Sequence, residues 1–121
     1  MDFNSLRECV VLYVEDEKSV RDQTQMILRD FVKEVHLASN GEEGLRLALE
    51  KEIDIIVTDI LMPGMNGIDM LKKLRNEHNR KIPAIITTAF TETEYLMDAI
   101  SLKVDGFIMK HINVRDLISN I

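Results

Sequence analysis

Cysteine is nearly absent: Cys9 stands alone in 121 residues, so no intramolecular disulfide can form and no Cys/His set with zinc spacing surrounds it. A reducing, cytoplasmic setting is the expectation. Tryptophan is missing altogether, and two prolines and five glycines are too few for a low-complexity or disordered chain. Basic residues are in deficit. Fifteen Lys and Arg against 21 Asp and Glu leave a net charge of −6, the wrong sign for neutralising phosphates along a nucleic acid. No stretch approaches the roughly 20 apolar residues that span a bilayer. The opening MDFNSLRECVVLYVEDE also lacks the basic start and small-residue cleavage site of a signal peptide. Nucleic acid and membrane are therefore not expected as direct partners of this segment.

What the chain does have is a regular alternation of short apolar runs with segments of helical periodicity, the mark of βαβ units around a parallel sheet. Cys9 to Val14 is nearly continuous in Val and Leu, as a central strand covered on both faces requires, and it ends at Glu15-Asp16-Glu17. Val20, Ile27 and Phe31 recur at helical spacing over Lys18 to Phe31. Glu34 to Ser39 reads as a second, more polar strand. Asn40, with Glu43 three residues on, then predicts a capped helix through Leu45, Ala48 and Leu49. A third strand, Ile53 to Val57, is ended by Thr58-Asp59. Turn chemistry from Met62 to Gly67 leads into a helix with Ile68, Leu71 and Leu74. Ala84 to Thr88 is a fourth strand, Thr91-x-x-Glu94 opens a fourth helix carrying Leu96 and Ile100 on one face, and Asp105 to Met109 is a fifth strand. Asn113 can cap a last helix with Leu117, Ile118 and Ile121, which stops after barely two turns. The reading is α/β, a three-layer (βα)5 domain over residues 1–121 that forms the N-terminal part of a longer protein.

In an open parallel sheet the ligand site lies beyond the carboxyl ends of the strands. Those ends carry Glu15-Asp16, Asp59, Thr87-Thr88 and Lys110, while the second strand ends in Ala38-Ser39 and adds nothing comparable. Each has a bland explanation alone. Acids before a helix suit its dipole, Asp59 could be a loop residue, Thr88 strand filler and Lys110 a solvated surface lysine. Their coincidence on one edge points elsewhere: gathered carboxylates repel one another unless a hard divalent ion joins them, and Mg²⁺ suits an all-oxygen set.

With these residues in place, the sequence resembles the receiver domains of two-component response regulators over essentially the whole chain. The resemblance rests on Glu15-Asp16, on Asp59-x-x-Met62-Pro63-Gly64-Met65-Asn66-Gly67, on Thr88-Ala89 and on Lys110. It implies a doubly wound, flavodoxin-like sheet in strand order 2-1-3-4-5. It also implies a site in which Asp16 and Asp59 ligate Mg²⁺, Glu15 holds it mainly through water, and the Leu61 carbonyl completes the protein ligands. Asp59 would be the phosphorylated nucleophile, Thr88 and Lys110 would contact the phosphoryl group, and Phe107 would occupy an aromatic switch position. The implied donor is a sensor histidine kinase or phosphotransfer protein, with Ser19 and Val20 among its contacts. Phosphorylation would remodel the face made by the fourth helix, fifth strand and fifth helix. That face would control an output domain or partner protein, or pair in a homodimer. The implied protein is a phosphoacceptor rather than a turnover enzyme.

The chain departs from the family pattern at Lys110-His111, where most relatives have proline after the lysine. A cis bond before a non-proline residue costs about 2.5 to 4 kcal/mol, so a trans bond is expected. His111 is read as a rim residue, and His36 and His78 as surface residues, because Mg²⁺ prefers oxygen. In the family the chain resembles, the residues two past the phosphoacceptor and two past the switch threonine tune attack by water. Here they are Leu61 and Phe90, bulky and apolar, so the resemblance implies slow self-dephosphorylation through exclusion of a positioned water. The methionines Met62, Met65 and Met97 are read as core filling before docking surface. The alternative function is a constitutive interaction domain on the same fold that is never phosphorylated. A phosphatase would want a second Asp where Leu61 stands, and Glu15-Asp16-Glu17 would repel a flavin phosphate.

Overall fold

In the computed structural model, which describes residues 3–88, 95–109, 117–118 and 121, the chain runs α1 (Phe3–Leu6), β1 (Val10–Val14), α2 (Lys18–Leu28), β2 (Glu34–Ala38), α3 (Gly41–Glu50), β3 (Ile55–Asp59), α4 (Gly67–Lys72), β4 (Ala84–Thr88), α5 (Leu96–Ser101) and β5 (Gly106–Met109). All four strand pairings are parallel, in the order β2-β1-β3-β4-β5. Every residue of β1, β3 and β4 is buried, which is why these segments are almost continuously apolar. β2 lies at the edge and buries only Ala38 fully.

Alternate residues of the strands feed two cores. Leu12, Val14, Ile56, Ala84 and Ile86 pack with Ala48 of α3, with Ile68, Met70 and Leu71 of α4 and with Ala99 of α5. Val11, Tyr13, Ile55, Val57, Ile85 and Ile108 pack on the other face with Leu6, Leu28, Val32, Leu117 and Ile121. Full burial of one such aliphatic side chain stabilises the fold by about 1.5 to 3 kcal/mol, so the three layers hold through this division of the sheet.

Two aspartates secure the far ends of strands. Asp54 accepts the Val10 N–H at 2.8 Å while donating its own N–H to Val10 at 2.8 Å. Asp105 does the same with Ala84, at 2.9 and 2.7 Å. Both β3 boundaries move: Asp54 is spent on Val10, so the strand starts at Ile55 rather than Ile53, and pairing with β1 and β4 carries it to Asp59 rather than Val57.

Further corrections concern the helices. α2 ends at Leu28 and buries Thr24 and Leu28, whereas Ile27, expected on the core stripe, is 40% exposed. Its neighbour Leu28 takes the inward position because adjacent apolar residues lie about 100° apart on a helix of 3.6 residues per turn. Ala99, not Ile100, faces the core from α5; Ile100 and Met97 are exposed. The unexpected turn α1 inserts Leu6 into the second core. α4 continues as a π-helical segment, Lys73–Glu77, closed by the His78 N–H on the Lys73 carbonyl at 3.1 Å. Asn40 does cap α3, accepting the Glu43 N–H at 2.8 Å. Asn66 caps α4 in the same way through Asp69. The expected caps at Thr91-Glu94 and Asn113 lie outside the described residues.

Of the methionines, Met62 and Met70 fill core space while Met26 and Met97 are exposed. His78 is exposed, and His36 is partly buried beside Glu34, at 3.4 Å. Burial, reinforced by the nearby charges of Asp54 and Glu8, pushes the Cys9 thiol pKa up. That keeps it protonated and unreactive.

Candidate phosphoacceptor and metal site

The parallel sheet delivers the ends of β1 and β3 side by side, with Val14 paired to Thr58. The residues just beyond are Glu15, Asp16 and Asp59, and each offers a carboxylate oxygen within 4.8 Å of the others. Glu15 and Asp59 are fully buried, and Asp16 is partly buried. The helix-cap explanation of these acids does not describe the geometry. The N-cap of α2 is Glu17, whose side chain makes no capping bond. Glu15 instead turns back so that Oε2 accepts the Glu17 N–H at 3.1 Å. Arg21 reaches the same turn through its guanidinium, donating to the Glu15 carbonyl at 2.7 Å. Spacing alone did not single out Arg21, although its position one helical turn into α2 could have.

Asp59 ends a central strand and its Oδ1 accepts the Ile60 N–H at 2.8 Å. Thr58 donates its hydroxyl to the Asp59 carbonyl at 2.9 Å, and the Gly67 N–H closes the following loop on the Ile60 carbonyl at 2.9 Å. Leu61, at the start of that loop, is 43% exposed. The three clustered donors are all carboxylate oxygens, with no sulfur or imidazole among them, and so they fit a hard divalent cation of the Mg²⁺ type.

β4 brings Thr87 opposite Asp59 and Thr88 one residue beyond, both buried. Phe107, paired with Ile86, is 37% exposed. Lys110, His111 and the bond between them lie outside the described residues, as does Phe90. Thr87 carries a feature the sequence did not disclose: its Oγ1 is buried and has no hydrogen-bond partner among the described residues. A buried hydroxyl left unpaired costs about 1 to 3 kcal/mol. Thr87→Val, which keeps the shape and removes the hydroxyl, is therefore expected to raise stability by about 1 kcal/mol. Chemical denaturation measures this, and a loss of 1 kcal/mol or more would show that the hydroxyl is paired.

One contributor lies outside the strand ends collected from the sequence. Glu42, in the first turn of α3 beyond β2, accepts the Met65 N–H at 2.9 Å and so touches the loop after Asp59.

Residues 11–121 match the family model described as the response regulator receiver domain. The chain belongs to that family. As a receiver domain of two-component systems, it is 33% identical over 111 residues to the transcriptional regulatory protein DltR of Streptococcus agalactiae. The match covers 92% of this chain and 49% of DltR. It is 34% identical to the regulatory protein AtoC of Escherichia coli, covering 88% of this chain and 23% of that protein. The chain thus spans about half or less of the length of these relatives. Among solved structures, the N-terminal domain of an uncharacterized protein from Wolinella succinogenes superposes with a TM-score of 0.87 at 35% identity, covering 92% of this chain and 89% of that one. The chemotaxis protein CheY4 of Vibrio cholerae gives 0.84 at 29% identity, covering 93% and 94%. This agrees with the flavodoxin-like fold and the strand order of the receiver domain. Among its described residues no helix is long and apolar enough to cross a membrane.

Proposed function

We propose that this receiver domain accepts a phosphoryl group on Asp59 from a histidine kinase or phosphotransfer protein, in a Mg²⁺-dependent step, and thereby switches a face that engages an output domain or partner. The observation that carries the proposal is the convergence of Glu15, Asp16 and Asp59, two of them fully buried, on one all-oxygen site at the sheet edge. Buried carboxylates so placed are costly without a cation and useful with one.

Asp16 and Asp59 would hold the metal directly, with Glu15 acting mainly through water and the Leu61 carbonyl as a further ligand. Bound there, Mg²⁺ supplies neutralisation of the charge that spreads over the phosphoryl oxygens. An Asp59 carboxylate oxygen forms the new P–O bond as the donor's P–N bond breaks, and the departing electron pair goes to the imidazole. Asp59 needs no general base, being already ionised when it acts as nucleophile. Thr88 donates to a phosphoryl oxygen, and Lys110 pairs with the added charge. Phosphorylation of the ionised carboxylate adds about one further negative charge and three strong acceptor oxygens, drawing Thr88 toward Asp59. Phe107 then turns inward. The chain serves as the regulatory part of a longer protein, not as a turnover enzyme.

Acetyl phosphate with Mg²⁺ tests this by intact-mass measurement. Wild type is expected to gain one phosphoryl group, and Asp59→Asn, or wild type in chelator, to gain none. Phosphorylation that persists in Asp59→Asn overturns the assignment.

A further inference from the structure

The loop between Asp59 and α4 is held at three places. At its base the Gly67 N–H bonds the Ile60 carbonyl at 2.9 Å, and at its exit Asn66 caps α4 through the Asp69 N–H at 2.8 Å. At its crest the holder is Glu42, 23 positions earlier in the chain, whose Oε1 accepts the Met65 N–H at 2.9 Å. The fit around that contact is close. The position of a Cβ on Gly64, which has φ 77°, lies 2.9 Å from the same Glu42 oxygen, so a side chain at 64 would meet the carboxylate. A Cβ on Gly41 would run into the Met65 carbonyl oxygen. The first turn of α3 and the crest of the loop therefore lie directly against each other, with glycine on both sides of the contact.

We propose that Glu42 is a positioning residue of the phosphoacceptor site: it fixes the crest of loop 61–66 and, through it, the Leu61 carbonyl. This rests on the metal-dependent reading of the site given above. Glu42 is exposed and lies outside both cores, so its contribution falls on the loop rather than on the fold. Its charge is accommodated where it stands, because acids in the first turn of a helix are favoured by the backbone dipole. What the loop uses is the acceptor oxygen. Glutamine keeps such an oxygen at the same reach, and alanine removes it.

The test compares Glu42→Ala and Glu42→Gln with wild type by two measurements on the unphosphorylated chain. Hydrogen exchange at the Met65 amide is expected to speed up by about 10-fold or more in Glu42→Ala, with the Ile60 and Gly67 amides unchanged, since a hydrogen bond to a charged group is among the stronger ones. Mg²⁺ titration followed by amide chemical shifts is expected to give a Kd raised about 10-fold in Glu42→Ala. Both quantities should return to within about 3-fold of wild type in Glu42→Gln. Exchange at Met65 that does not change in Glu42→Ala overturns the contact. Faster exchange with an unchanged Kd overturns the positioning role, as does failure of Glu42→Gln to restore the two together, which also decides the matter if Glu42→Ala folds poorly. If wild type itself shows no Mg²⁺ response, the metal-dependent reading fails on that result alone and the role of Glu42 falls with it.

Discussion

Gly67→Ala is expected to destabilise the domain by about 3 kcal/mol or more, the upper end of the usual penalty for forcing extra volume into a packed site. The glycine here answers a need for space: a Cβ at position 67 would collide with the Asp59 carbonyl oxygen, and would lie 2.9 Å from the Thr58 hydroxyl oxygen. Neither side can easily yield. Asp59 belongs to a central strand paired on both sides, and Gly67 is tied by its own N–H to the Ile60 carbonyl. Relief would have to come from moving the end of β3, which carries the phosphoacceptor, so function and stability should fall together.

Gly44→Ala provides the comparison. Its Cβ would meet the Met70 sulfur at 2.6 Å and a Val14 methyl at 3.0 Å, both side-chain atoms. Alanine is also favoured over glycine inside a helix by about 1 kcal/mol, which offsets part of any crowding. Thermal melting should therefore rank Gly67→Ala well below Gly44→Ala, by about 10 °C or more given a shift of several degrees per kcal/mol. Equal melting temperatures would show that the loop base has room the structure does not give it.

How much of this was legible in the sequence depended on the range of each interaction. The acidic site was visible because a parallel sheet obliges strand ends to share an edge, so Glu15, Asp16 and Asp59 could be collected from two short motifs in the sequence. Thr88 was found by the same rule. Glu42 was not, because its partner is a backbone N–H in a loop whose path no periodicity encodes. Near it, the Asn40 cap was legible because its partner N–H lies only three residues on, at Glu43. The β3 boundary slipped because Ile53 and Ile55 look alike as strand residues, while Asp54 between them is turned aside to bond Val10. Ile27 and Leu28 are equally apolar neighbours, and only tertiary packing chose which would face Tyr13 and Val57. Local caps such as Asn40 were readable; choices between equivalent neighbours were not.

The Asp59→Asn chain, expected to accept no phosphoryl group, is also expected to melt above wild type when divalent ions are chelated. Asp59 shares its surroundings with the Glu15 and Asp16 carboxylates, whose oxygens lie within 4.8 Å. Two like charges at that separation repel by about 3 kcal/mol at an effective dielectric of about 20, and by under about 1 kcal/mol in water. A gain of about 1 to 2 kcal/mol on removing one charge lies between these limits. The asparagine carbonyl can still accept the Ile60 N–H that Oδ1 accepts now. Its amide group can in addition donate to a neighbouring carboxylate. Mg²⁺ should reverse the order. A ligand bound only by the folded chain stabilises it by about 2.7 kcal/mol at 100 times its Kd, and wild type with three carboxylates should bind more tightly than a variant with two. Melting curves of both proteins in chelator and across a Mg²⁺ series therefore ought to cross. If Asp59→Asn melts below wild type in chelator, a cation of the protein itself holds Asp59 more strongly than its acidic neighbours repel it, and the electrostatic case for a metal at this edge fails.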